Sequence, residues 1–119
     1  MKKTLVIGAS DKPHRYSYKA VKLLSQYKYE VIAFGLRNGE IEDINIETEK
    51  KDFHNIHTIT LYINPERQKD YYQYIIGLKP QRIIFNPGTE NNELAKIAEE
   101  NNIEVIFNCT LVMLNSNDF

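Results

Sequence analysis

The 119-residue chain has one cysteine, five glycines and no long hydrophobic run. A single thiol, Cys109, excludes an internal disulfide framework and a cysteine-based zinc site, so a cytoplasmic setting is expected. No apolar stretch approaches the roughly 18 residues of a transmembrane helix. Leu5-Val6-Ile7 after Met1-Lys2-Lys3 is too short for a signal peptide, and Asp11–Arg15 interrupts it. Charge of one sign is lacking too: 15 Lys/Arg against 16 Asp/Glu give a net charge of −1. Neither nucleic acid nor a membrane is therefore expected as the main partner. His14, His54 and His57 lack metal-like spacing with carboxylates, so no metal is expected. No histidine or aspartate is tied to Cys109 by any pattern that would make it a nucleophile, and a free cysteine of this kind is expected to be buried. There is no Ser/Gly-rich linker and no repeat, and the length fits one domain over residues 1–119.

What is present is an alternation of apolar strands and amphipathic helices. Strands are expected at Lys3–Ile7, Glu30–Phe34, His57–Ile63, Arg82–Phe85 and Glu104–Phe107. The first helix is expected at Ser17–Tyr27, capped by Ser17, with Ala20, Val21, Leu24 and Tyr27 on its apolar face. Asn64-Pro65 reads as an N-cap followed by proline at the first helical position, and that helix should run to about Ile76, stopped by Gly77 and Pro80. A further helix at Asn91–Glu100 should bury Leu94, Ile97 and Ala98, and Thr110–Leu114 should form a short helical turn. Residues 36–56 are weakly patterned. Ile41, Ile44 and Ile46 suggest short extended pieces on a sheet edge, where another chain could pair to give a homodimer or a complex, a protected short acidic edge being equally expected. The tyrosines Tyr71, Tyr72 and Tyr74 read as one inward and two edge-facing side chains. The whole predicts an α/β, Rossmann-like, doubly wound and mostly parallel sheet of five to six strands with helices on both faces.

Four loops leave the carboxyl ends of those strands, where such folds bind ligands: Gly8–Tyr16, Gly35–Gly39, Asn64-Pro65 and Asn86–Thr89. The first joins a strand to a helix through Gly8-Ala9-Ser10, the parts of a phosphate cradle, and Lys12 and Arg15 lie within it. The basic charge is concentrated in that half. Residues 1–37 hold eight Lys/Arg and two Asp/Glu, and residues 38–119 hold seven and fourteen. The dinucleotide fingerprint G-x-G-x-x-G keeps only its first glycine, with Ser10 and Pro13 at the other two places. After the second strand, where NAD sites carry an acid, the chain reads Phe34-Gly35-Leu36-Arg37. A cation there suits a phosphate on the adenosine ribose, which both NADP and coenzyme A carry.

Val6-Ile7-Gly8-Ala9-Ser10, Pro13, Arg15-Tyr16-Ser17-Tyr18, Asn64-Pro65, Asn86-Pro87-Gly88-Thr89-Glu90-Asn91 and Cys109-Thr110-Leu111 together resemble the small single-domain CoA-binding proteins of bacteria. That family is similar to the N-terminal CoA-binding domain of the succinyl-CoA synthetase α subunit. The resemblance implies coenzyme A or an acyl-CoA lying across the strand ends. Gly8, Ala9 and Ser10 would line its phosphates, and Arg15, Tyr16 and Ser17 would close the loop over them. Gly35 and Arg37 would meet the adenosine end, and Asn64, Pro65, Pro87 and Gly88 would flank the remainder. The chain departs from the family after its second strand, where relatives often read Val-Asn-Pro. Acyl-CoA synthetases use further domains for phosphoryl transfer, so the resemblance implies binding without a reaction of its own. Two alternatives stand beside it: an NADP-type redox domain acting with a partner, and an interaction module with a degenerate nucleotide pocket.

Overall fold

Three strands are buried at every residue, a state that requires helices on both faces of a sheet. They are β1 (Thr4–Ile7), β5 (Thr58–Leu61) and β6 (Arg82–Phe85). The computed structural model, which describes residues 2–119, completes the sheet with β2 (Val31–Phe34), β3 (Glu40–Ile41), β4 (Ile44–Glu47) and β7 (Glu104–Phe107). The order is β3-β4-β2-β1-β5-β6-β7. Every neighbouring pair is parallel except the β3–β4 hairpin, so the expected mostly parallel sheet is present, with seven strands where five to six were expected because the weakly patterned region adds a short antiparallel edge. The Ile41–Ile46 region forms that edge. At two residues, β3 is the kind of short edge that resists further pairing.

Side-chain alternation along the strands sorts the helices into two layers. Leu5, Ile7, Ile59, Leu61, Ile83 and Phe85 face one core with Ile75, Leu94 and Ala98. These last three come from α3 (Tyr72–Gly77) and α4 (Asn92–Glu100). Val6, Ala33 and Ile84 face the other core with Val21, Leu24, Met113 and Leu114, from α1 (Tyr16–Gln26) and α5 (Thr110–Asn115).

Several local expectations need correction. The helix after Asn64 is not continuous: α2 (Pro65–Gln68) passes through a 3-10 turn, Lys69–Tyr71, before α3 begins. Its first turns carry no apolar stripe, and of residues 65–71 only Gln68 is buried. The end of α3 is turned by Lys79 at φ 53°, not by Gly77. Tyr27 is 48% exposed, because α1 has already ended at Gln26. Ile97 is half-buried, and Ala95 takes a buried place on α4 instead. All three of Tyr71, Tyr72 and Tyr74 are half-buried.

The ladder places Ile7 beside Phe34 and Leu61, Leu61 beside Phe85, and Phe85 beside Phe107. Five strand ends therefore stand in one row, and their loops emerge along one rim. Strand order reverses between β1 and β5, which is where a doubly wound sheet opens a crevice.

The opposite rim carries a polar cluster at the start of β5 and β6. Arg82 Nε donates to Thr58 Oγ1 at 2.7 Å, and His57 Nδ1 lies 2.7 Å from the same hydroxyl. Burial, and then the charges of Arg82 and Lys2, hold the His57 imidazole below its ordinary pKa. A histidine depressed in this way takes up its proton more readily unfolded than folded. Its contribution to stability is present at neutral pH and is lost as pH falls through about 6.5 and below. Denaturant unfolding of wild type and His57→Gln tests this. The stability advantage of wild type should shrink on going from about pH 7.5 to about pH 5.5. A difference that does not vary with pH contradicts the assignment.

Candidate functional site

The turn after β1 is shaped by two close backbone approaches. Gly8 sits at φ +98°, and a Cβ there would lie 2.9 Å from the Tyr62 carbonyl oxygen, so only glycine fits. Gly8 N and Ala9 N both donate to the Phe34 carbonyl oxygen, at 2.9 Å and 2.8 Å. Just past the end of β2, a Cβ on Gly35 would collide with the Ala9 carbonyl oxygen. The β1–α1 and β2–β3 loops are thereby held against each other.

Ser10 and Lys12 then turn the chain into α1. Lys12 N donates to Ser10 Oγ at 3.2 Å, and Arg15 N donates to the Lys12 carbonyl at 3.0 Å. The helix is capped at Arg15, not at Ser17, and no side chain bonds its first amides. Ser17 lies inside the first turn and is 5% exposed. The first α-helical backbone bond is Lys19 N to the Arg15 carbonyl, at 3.2 Å, so Tyr16, Ser17 and Tyr18 have N–H groups with no helical acceptor. No acidic residue occupies that turn, which leaves the positive end of the helix dipole uncompensated.

A cleft of about 450 Å³ opens in front of this helix end, between β1 and β5, a size typical of small-molecule sites. Four cations border it: Lys12 and Arg15 from the first loop, Arg37 from the β2–β3 loop and Arg67 from α2. One carboxylate, Asp11, accompanies them. Among the described residues, none of the four cations belongs to an ion pair. Two of the chain's exposed large apolar side chains also border the cleft, Tyr16 at 67% and Leu36 at 69% exposure.

The far wall is built from the β5–α2 and β6–α4 loops. Asn64 Oδ1 caps α2 by accepting from Arg67 N at 2.9 Å, which sets Arg67 over the cleft. Pro87, Gly88 and Thr89 close the wall. The Gly88 N–H is taken by the Glu90 carboxylate at 2.8 Å, so Gly88 contributes space and not a donor. Beneath it, Asn86 Nδ2 donates to Thr60 Oγ1 (2.6 Å) and to the Leu61 carbonyl (2.8 Å), while its Oδ1 accepts from Thr110 N (2.8 Å). Thr60 and Thr110 hydroxyls bond each other at 2.7 Å. That pairing leaves the adjacent Tyr62 hydroxyl as the one buried side-chain polar atom without a partner among the described residues. Burial, and then the nearby Cys109, push the Tyr62 phenol well above its usual pKa, more than the close Thr110 and Thr60 hydroxyls offset.

The cleft brings together ten of the twelve residues expected from sequence: Gly8, Ala9, Ser10, Arg15, Tyr16 and Ser17 on one side, with Arg37, Asn64, Pro87 and Gly88 around the rest. Gly35 lies beneath it as a packing contact, and Pro65 turns away as the first residue of α2. Sequence reasoning missed Asp11, Leu36, Ile46, Tyr62, Ile63, Arg67 and Thr89, and had Lys12 only as loop charge. Arg67 had a signal: it stands three residues after an N-cap on a strand-end loop. His14 is exposed and does not border the cleft. Cys109 is half-buried at the start of α5, where its N–H donates to Asn108 Oδ1 at 2.7 Å; the expected full burial does not occur. No group of His, Cys, Asp and Glu among the described residues is arranged to hold a metal. No helix among them is long and apolar enough to cross a membrane.

A family model described as a CoA binding domain matches residues 2–115. A crystal structure of an uncharacterized protein superposes with a TM-score of 0.98 at 47% identity, covering 100% of this chain and 98% of its own. A hypothetical protein from Pyrococcus horikoshii OT3 gives a TM-score of 0.86 at 23% identity over 98% of this chain and 82% of its own. A Thermus thermophilus protein gives 0.86 at 19% identity over 99% and 90%. These last two share the fold. No curated protein matches the sequence.

Two substitutions test the geometry. Gly35→Ala drives a methyl group into the Ala9 carbonyl and should destabilise the protein by about 1–3 kcal/mol in denaturant unfolding. An unchanged midpoint would mean that the loops do not meet as described. Tyr62→Phe removes an unpartnered buried hydroxyl, whose desolvation costs about 1–3 kcal/mol. The variant should be at least as stable as wild type, and a clear loss would show that the hydroxyl has a partner.

Proposed function

The chain belongs to the CoA-binding domain family, and from that premise we propose that the cleft between β1 and β5 holds coenzyme A or an acyl-CoA without catalysing a reaction of its own. The observation that carries this reading is the convergence of unpaired positive charge on a helix end with free amides. Lys12, Arg15, Arg37 and Arg67 surround an uncapped, acid-free N-terminus, and a polyanionic ligand supplies the missing charge.

The pyrophosphate lies against Gly8, Ala9, Ser10 and the Tyr16–Ser17 amides, with Arg15 folded over it. The adenosine end runs toward the β2–β3 loop, where Leu36 offers an apolar surface to the base and Arg37 meets the ribose phosphate. The amide-bearing arm of CoA runs the other way, over Tyr62 and between Asn64 and Gly88. Tyr16 and Leu36 are exposed in the free protein, and this ligand covers both. The absence of a reaction is supported by the site's make-up: its titratable groups are cations, one loop carboxylate and the phenols of Tyr16 and Tyr62, and among the described residues no serine or threonine of its lining is hydrogen-bonded to a carboxylate or histidine.

Thermal shift and calorimetry with CoA, dephospho-CoA, NADPH and NADH test the reading, because a ligand that binds only the folded state raises its stability with concentration. CoA should stabilise the protein most, and a response to NADPH with none to CoA overturns the proposal. Arg15→Ala should weaken CoA roughly ten- to hundredfold, the loss of one charge-assisted bond of about 1.5–3 kcal/mol. Wild type should prefer CoA over dephospho-CoA, and Arg37→Ala should erase that preference. If the preference survives, Arg37 does not read the ribose phosphate.

A further inference from the structure

Gln68 is a fully buried polar side chain that does not itself border the cleft. Burying an amide is unfavourable unless its hydrogen bonds are made, and those that Gln68 makes are specific. Nε2 donates one hydrogen to the Ile63 carbonyl at 2.9 Å and the other to the Thr89 carbonyl at 2.8 Å. Oε1 accepts from Asn91 Nδ2 at 2.9 Å. Ile63 and Thr89 border the cleft from different loops, one after β5 and one after β6. The β5–β6 ladder ends at Leu61 and Phe85. Past that pair the two chains part, and the Gln68 amide spans the gap.

The clamp is itself braced. Asn91 Oδ1 caps α4 by accepting from Glu93 N (3.1 Å) and Leu94 N (3.2 Å). Its Nδ2 also donates to Tyr72 Oη at 2.8 Å, and Tyr72 donates to Glu93 at 2.9 Å. The amide is thus fixed from α3 and α4 while it sets the separation of two strand-end loops. The break of the helix after Gln68 accompanies this burial, since Gln68 is the one inward residue of its segment.

We infer that Gln68 is a positioning residue for the amide-bearing arm of CoA: it holds the Ile63–Asn64 and Pro87–Thr89 walls at the separation that accepts the arm. It leaves the phosphate and adenosine end, held by Gly8–Ser17 and Arg37, untouched. This rests on the proposed CoA reading. Its consequence is a split between two ligands. Adenosine 3′,5′-bisphosphate carries the adenosine, its 3′-phosphate and the adjoining 5′-phosphate, without the second bridging phosphate or the arm, and CoA carries all of them.

Calorimetry on Gln68→Met, which keeps the volume and removes both donors, should show CoA affinity reduced about tenfold or more with bisphosphate affinity within about twofold of wild type, a difference of at least 1 kcal/mol. Gln68→Glu, which turns a carboxylate toward two carbonyl oxygens, should show the same split. Equal losses for both ligands, or no loss for either, overturn the inference. A readout on the unaltered protein covers the case in which the variants do not fold. The Gln68 side-chain amide resonances should move when CoA is added and stay in place with the bisphosphate. Resonances that ignore CoA, or answer both ligands alike, overturn it as well. Wild type that binds bisphosphate but gains nothing from the arm of CoA overturns the positioning role alone, and wild type that binds neither ligand removes the CoA reading beneath it.

Discussion

The Phe34 carbonyl oxygen accepts from both Gly8 (2.9 Å) and Ala9 (2.8 Å), and the shape of the cleft depends on that doubled bond. It pins the end of β1 to the end of β2 one residue past the ladder. The pinned turn brings Ala9 against Gly35 and Gly8 against Tyr62, distances that no side chain permits. Held from both sides, the chain leaves β1 at one angle and enters α1 with its first turn facing the crevice. Two glycines and a row of flush strand ends thus place free amides, loop cations and the far wall around one opening.

That opening is electrostatically unfinished. Some lysines elsewhere on the surface pair with carboxylates, as Lys51 does with Glu47 and Lys69 with Glu66, and others do not. The four at the cleft do not, and the helix end they surround has neither a capping side chain nor an acid in its first turn. A side-chain cap is worth about 1 kcal/mol to a helix, and in the proposed function the ligand's phosphates take that place at α1. The far wall is the opposite case. Gln68, Asn86 and Asn91 satisfy their amides almost completely within the protein, which makes that wall rigid. One side carries unpaired positive charge, and the other satisfies its polar groups internally.

Strand and helix positions were legible in the sequence because buried parallel strands read as short β-branched runs, and Asn64-Pro65 and Asn91 are direct capping signals. The strand-end loops were legible for the same reason, and with them most of the cleft. Ser17 misled because a polar residue near a helix start looks like a cap whether it precedes the helix or, as here, packs within its first turn. Tyr27 misled because helical spacing extends on paper past the turn at which α1 stops. The Gln68 clamp left no trace. A buried glutamine between Arg67 and Lys69 looks like solvated surface, and its partners are carbonyls 5 and 21 residues away. Tyr62 reaches the cleft only because β5 ends where it does, a fact of register and not of composition.

The central claim is that a polyanion is held by the turn after β1 and the first turn of α1. Amide proton–nitrogen correlation spectra during a CoA titration test it most directly. The resonances of Gly8, Ser10, Tyr16 and Ser17 should shift in a saturable way, together with those of Leu36 and Arg37. Ile106 and Val112, on the far edge strand and the outer face of α5, should stay in place. Shifts centred on that far edge, with the first turn of α1 unmoved at saturating CoA, would contradict the account.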